Sequence, residues 1–166
     1  MTARKSGLVL PVLTTALLLA SEWPQFRGPN ASGVSDEAQL PVEFGPETNV
    51  VWKTAVPPGH SSPSIAGDRI FLTAFENERL FTLALDRGTG RILWRREAPR
   101  PRKQERKPEN SPASPTPATD GRNVYAFFAE FGLLAYGPDG NELWRMPLGP
   151  YASSPDRKST RLNSSH

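Results

Sequence analysis

Three tryptophans, Trp52, Trp94 and Trp144, recur at intervals of 42 and 50 residues, and three Ser-Pro pairs, Ser62-Pro63, Ser114-Pro115 and Ser154-Pro155, recur at intervals of 52 and 40. Between a Ser-Pro pair and the next Trp the same order of elements returns. A Gly turn leads into a short apolar strand, "GDRIFLTAF" at 67–75 and "GRNVYAFFAE" at 121–130. A second strand follows, "RLFTLALD" at 79–86 and "FGLLAYG" at 131–137. A tight turn, "RGTG" or "PDG", then feeds a strand that ends in Trp, "RILWRRE" or "NELWRMPL". These runs alternate apolar and polar residues or are wholly apolar, as strands packed on one or both faces require. A unit of this size cannot bury its apolar faces alone and must stack on copies of itself.

A period near 40–50 with about four strands per unit predicts a β-propeller. The fold class expected is all-β: an incomplete propeller of about two four-stranded antiparallel blades, plus an N-terminal strand that would close a last blade. With 18 Pro and 13 Gly the chain is punctuated too densely for long helices. Asp139-Gly140 and the Gly88–Gly90 stretch supply the left-handed backbone that short hairpins need.

Residues 84–94 read "ALDRGTGRILW". Ala84, Asp86, Thr89, Gly90 and Trp94 match A-x-D-x-x-T-G-x-x-x-W, which resembles the tryptophan-docking motif of quinoprotein-like propellers. The second copy, "AYGPDGNELW", keeps Ala135, Gly140 and Trp144, is one residue shorter, and has Gly137 where the motif has Asp. The stretches "WPQFRGPNASGVS" at 23–35 and "NSPASPTPATDGRNVYAFF" at 110–128 resemble secreted PQQ-binding-like propeller repeat proteins of bacteria. The resemblance implies that the Trp of each outer strand docks on an adjacent blade. It also implies that Trp52, on "NVVWKTAVP" at 49–57, belongs to a last blade closing the ring.

The expected organisation follows. Residues 1–20 form a signal peptide, because Arg4 and Lys5 precede a short apolar run from Leu8 to Ala20, too short to span a bilayer. Residues 21–48 are an extended segment. The partial propeller occupies 49–155, with a closing strand at 49–57, a blade at 61–98, a loop at 99–112, a blade at 113–149 and the start of a third at 151–155. The last eleven residues, "DRKSTRLNSSH" at 156–166, are the direct translation of a widely used sequencing-adapter read and are expected to be adapter-derived. Two blades fall short of the roughly 4–8 that close a ring.

Charge carries little information. The balance of 20 basic and 17 acidic residues becomes nearly even once Arg4, Lys5 and the tail are set aside. No nucleic-acid partner is expected. The run "RPRKQERKP" at 100–108 reads as a solvated loop. The chain has no Cys, which excludes a thiolate metal site, a Cys nucleophile and an internal disulfide. His60 stands beside Ser61, but neighbours on a strand point to opposite faces, so a nucleophile–base pair is not expected. Asp68, Asp86, Asp120 and Asp139 fall at turns, where Asp accepts backbone hydrogen bonds.

Three functions are expected to compete, the third of them another propeller enzyme or a sugar-binding propeller. The first is a non-catalytic exported propeller, periplasmic or extracellular, that binds a protein or small ligand as a scaffold. It resembles in fold the propeller lipoprotein of the outer-membrane β-barrel assembly machinery, without a Cys anchor. The second is a dehydrogenase using pyrroloquinoline quinone and calcium, since the docking motif is shared with those enzymes. No catalytic, cofactor-binding or metal residue is assigned in this chain, and no membrane span is expected in the mature part.

Overall fold

The computed structural model describes residues 22–36, 40–103 and 110–150. The expected signal peptide, the start of a third blade and the adapter-derived tail lie outside the described residues. Eight strands form: β1 Ser64–Ala66, β2 Arg69–Glu76, β3 Arg79–Asp86, β4 Ile92–Ala98, β5 Ala118–Thr119, β6 Val124–Phe128, β7 Gly132–Tyr136 and β8 Glu142–Pro147. They make two antiparallel four-stranded sheets, ordered β1-β2-β3-β4 and β5-β6-β7-β8. Among the described residues the only helical turn is a 3-10 turn at Pro29–Ala31. The protein is therefore all-β, with each sheet a meander of the propeller-blade kind.

The hairpins show why the chain turns where it does. Between β2 and β3, Asn77 and Glu78 both have positive φ, at 48° and 64°. Two consecutive left-handed residues form the two-residue turn whose twist suits an antiparallel pair. Both blades also carry a register shift at the same place, between Ala84 and Leu85 in one and Ala135 and Tyr136 in the other. Such a bulge bends the strand and adds local twist.

Pairing in register sorts the side chains of the first blade onto two faces. Ile70, Leu72 and Ala74 lie opposite Leu85, Leu83 and Phe81, while Phe71 and Phe75 lie opposite Ala84 and Leu80. The second set joins Trp94 and Ala98 in one core with Val124, Ala126, Phe128, Leu134 and Tyr136 of the second blade. Full burial of side chains such as Phe71, Leu80 or Leu134 is worth about 1.5–3 kcal/mol each. The first set forms a smaller core of its own. The segment ahead of the blade runs along the edge of β2, where the amide of Phe75 donates to the Pro58 carbonyl at 2.7 Å.

The two sheets meet most closely at their first strands, β1 and β5. They fan out from that hub.

Residues 49–57, the expected closing strand, run without a ladder partner among the described residues. One expectation needs correction. The basic run is not wholly solvated. The Arg100 side chain is only 9% exposed and pairs with Glu130, which is 2% exposed, in the turn between β6 and β7. Arg100 also reaches the Glu78 carboxylate at 2.6 Å and covers the Phe75 ring at 4.8 Å. Arg102 donates to the Leu148 carbonyl. The loop leaves β4 and passes over the second blade's turn, so its first arginines sit between blades.

Candidate functional site

The repeated residues converge at the junctions between successive units. Asp86 organises the turn after β3: its Oδ1 accepts from the Thr89 amide at 2.8 Å and from the Thr89 hydroxyl at 2.7 Å. Those bonds, the hydroxyl first, hold the Asp86 carboxyl below the usual carboxylate range. The Gly90 amide closes the turn on the Asp86 carbonyl at 2.8 Å. Gly90 has φ +73°, and the Trp52 ring lies where a Cβ would be. The Trp52 indole N–H donates to the Arg87 carbonyl at 2.8 Å. Two residues further on, the Thr54 hydroxyl donates to the Gly90 carbonyl, also at 2.8 Å.

The next junction repeats the arrangement one unit later. The Trp94 indole N–H donates to the Pro138 carbonyl at 2.9 Å, and Arg96 Nε donates to the Gly140 carbonyl at 2.6 Å. Gly140 has φ +74°, and a Cβ there would lie 2.7 Å from Trp94 Cδ2. Trp94 itself is buried, with the Phe71 and Tyr136 rings at 6.1 and 5.8 Å between centroids. Ala84 pairs with Trp94 across β3 and β4, and Ala135 with Trp144 across β7 and β8. Gly137 replaces the aspartate because Asn141 fills that space: a Cβ on Gly137 would strike its side-chain amide. The Asn141 carbonyl in turn accepts the Gly137 amide at 2.9 Å.

Trp144 differs. It is 43% exposed and touches Tyr125 of its own blade, with 6.1 Å between ring centroids. Met146, two residues on, stands where Thr54 and Arg96 supply a donor, and it is exposed. The second donor at each junction, Thr54 or Arg96, was missed in the sequence. Its signal was there: a hydrogen-bonding side chain two residues after Trp52 and Trp94.

The other candidates have structural employment. Ser61 Oγ accepts from the Thr73 amide at 3.1 Å and lies 3.3 Å from its carbonyl, while the His60 amide donates to the Ala113 carbonyl. Thr73 Oγ1 donates toward the Ala113 and Pro115 carbonyls at 3.3 and 3.0 Å. These bonds tie the leader of one blade to that of the next. Asp120 accepts from the Asn123 and Arg122 amides and the Tyr125 hydroxyl, which hold its carboxyl far below the usual range. Among the described residues no three His, Asp or Glu side chains gather as metal ligands. Asp86, Asp120 and Glu130 each bond to protein partners.

Residues 34–164 match the family model PQQ_2, described as outer membrane protein assembly factor BamB. No curated protein matches the chain. No helix among the described residues is long and apolar enough to cross a membrane. With well over half of its length matched and two four-stranded blades joined through repeated Trp-to-turn contacts, the chain belongs to the PQQ_2 family of β-propeller repeat proteins.

Proposed function

We propose that this chain is part of an exported, non-catalytic β-propeller that serves as a protein-binding or assembly scaffold. One observation carries the reading. The polar groups of the repeated residues are spent on neighbouring backbone, as when Trp94 and Arg96 donate to Pro138 and Gly140. What such a body offers a partner is its rims and loops, held on a rigid frame. The family description, an assembly factor for outer membrane proteins, supports a protein as the partner. Export rests on the Arg4/Lys5 start and the apolar run that follows.

Further blades belong to this reading. The face of the second blade that carries Tyr125, Leu133, Trp144 and Met146 corresponds in register to the face of the first that packs on its neighbour. Trp144 and Met146 on it are exposed.

The alternative is a dehydrogenase using pyrroloquinoline quinone and calcium, favoured by the motif at Ala84, Asp86, Thr89, Gly90 and Trp94. Incubating the exported protein with the quinone and calcium separates the two. The scaffold reading expects no stoichiometric uptake and no dye-linked oxidation of alcohols or sugars. Uptake with such oxidation would assign the dehydrogenase instead.

A further inference from the structure

The segment Glu22–Gly33 is not explained by blade packing. Its first residues lie at the hub, along the inward edges of β1 and β5. Trp23 forms an antiparallel bridge with Ile65: its amide donates to the Ile65 carbonyl at 3.0 Å, and the Ile65 amide donates back at 2.8 Å. The Thr119 amide on β5 donates to the Pro24 carbonyl at 2.8 Å. The Gly67 amide, in the turn after β1, donates to the Glu22 carboxylate at 3.0 Å. One short stretch thus satisfies the hub-facing groups of two neighbouring blades.

The residue types suit an added strand. Pro favours an extended conformation in the residue before it, here Trp23. Pro24 lacks an amide proton, which costs nothing on the outer side of an edge. Its carbonyl remains available, and Thr119 uses it. The arm then folds back at Gly28, φ +66°, where a Cβ would lie 2.5 Å from the Trp23 ring. The Gly33 amide bonds the Arg27 carbonyl at 2.8 Å, and Arg27 donates to the Ser32 carbonyl at 3.3 Å.

We propose that the hub edges of β1 and β5 form a strand-addition site for an extended peptide of acidic–aromatic–proline type, filled in cis by the chain's own arm beginning at Glu22. Main-chain bonds to an exposed sheet edge supply affinity in such recognition, and alternate side chains supply specificity. A tethered arm has a high effective concentration, of the order of millimolar for short linkers, so it excludes a free peptide until it is released. The proposal does not depend on whether the complete ring is a scaffold or an enzyme.

The test uses the full exported protein and a variant lacking residues 22–33, which removes the arm without altering either blade. Hydrogen exchange is followed at the amides of Ile65, Gly67 and Thr119. A synthetic peptide of residues 22–33 is then added, alongside the same peptide N-methylated at Trp23. Exchange at the three amides should rise at least tenfold in the variant. The plain peptide should restore protection in the variant and not bind the wild type, and the N-methylated peptide should fail to protect. Unchanged exchange in the variant, or equal behaviour of the two peptides, would overturn the proposal.

Discussion

The indole of Trp94 on β4 lies against Gly140 in the next blade's turn and donates to the Pro138 carbonyl at 2.9 Å. The contact is both a packing constraint and a hydrogen bond, and the two can be separated by substitution. Gly140→Ala tests the packing. Its φ of +74° is unfavourable for Ala, and the new Cβ would sit 2.7 Å from Trp94 Cδ2. A loss of about 2–3 kcal/mol is expected from strain and overpacking together. A urea midpoint that falls with an unchanged slope would show it.

Trp94→Phe tests the hydrogen bond while keeping most of the ring. The Pro138 carbonyl loses its donor, at a cost of about 1 kcal/mol from the bond and somewhat more from lost contact area. Trp144→Phe at the equivalent place on β8 should change stability by less than about 0.5 kcal/mol, because Trp144 is 43% exposed and makes no such bond here. Equal losses in the two variants would mean that Trp144 is docked in solution.

The Arg100–Glu130 pair should matter more than any surface ion pair in the protein. Glu130 is 2% exposed and Arg100 is 9% exposed, and removing Glu130 leaves the guanidinium to the exposed Glu78 carboxylate alone. Glu130→Ala is expected to cost about 1.5–3 kcal/mol. Glu47→Ala removes the exposed partner of Lys53 and should cost about 0–1 kcal/mol. Thermal melts of both variants at low and high salt would separate them, since only the exposed pair is screened.

The blades were legible because their signal is local and repeated. The expected second strand at 79–86 is β3, Arg79–Asp86, residue for residue, and the Trp-bearing strands fall within a residue or two of β4 and β8. Alternation and Gly turns mark such elements wherever they occur in a chain. What was not legible depends on partners distant in sequence. Arg100 is buried by a carboxylate thirty residues away, which no local charge pattern encodes. The arm at Trp23 bonds Ile65 and Thr119, on two different sheets. The second donor at each junction was readable from Thr54 and Arg96, but only their carbonyl partners give it meaning.

Acid should destabilise the protein modestly through three depressed carboxyls, all of them exposed and partly screened by solvent. Lys103 and then Arg100 hold Glu78 down to about 2 from an ordinary 4.5. Asp120 is lowered by the Asn123 amide and the Tyr125 hydroxyl, and Asp86 by Thr89. A carboxyl held low in the folded state binds fewer protons there than in the unfolded chain. Its contribution is complete above the unfolded value and is lost as pH falls through the folded one. Stability should therefore drop from about pH 4.5 toward pH 2, and Asp120→Asn should flatten the slope while lowering the plateau. A parallel decline in wild type and variant would show that Asp120 contributes nothing to it.

Alkali should act at the interface between the blades, through Tyr136. Its ring packs on Trp94, and its buried hydroxyl lies near that of Thr82, neither finding a partner of ordinary hydrogen-bond geometry among the described residues. Burial pushes the Tyr136 phenol up to about 12. The neutral form is the one the fold prefers, so the sign is opposite to that of the carboxyls. The contribution is intact below pH 10, where the unfolded phenol is also neutral, and is lost as pH rises from 10 toward 12. Tyr136→Phe removes the titrating group and a buried hydroxyl that lacks a partner, while leaving the ring in place. The variant should be as stable as wild type at pH 7, or up to about 1 kcal/mol more stable, since at most a poorly aligned contact with Thr82 is lost. Between pH 10 and 12 it should hold its melting temperature better than wild type. Destabilisation at pH 7 by more than about 1 kcal/mol would mean that the hydroxyl is bonded in solution, with Thr82 the first partner to test by a double-mutant cycle.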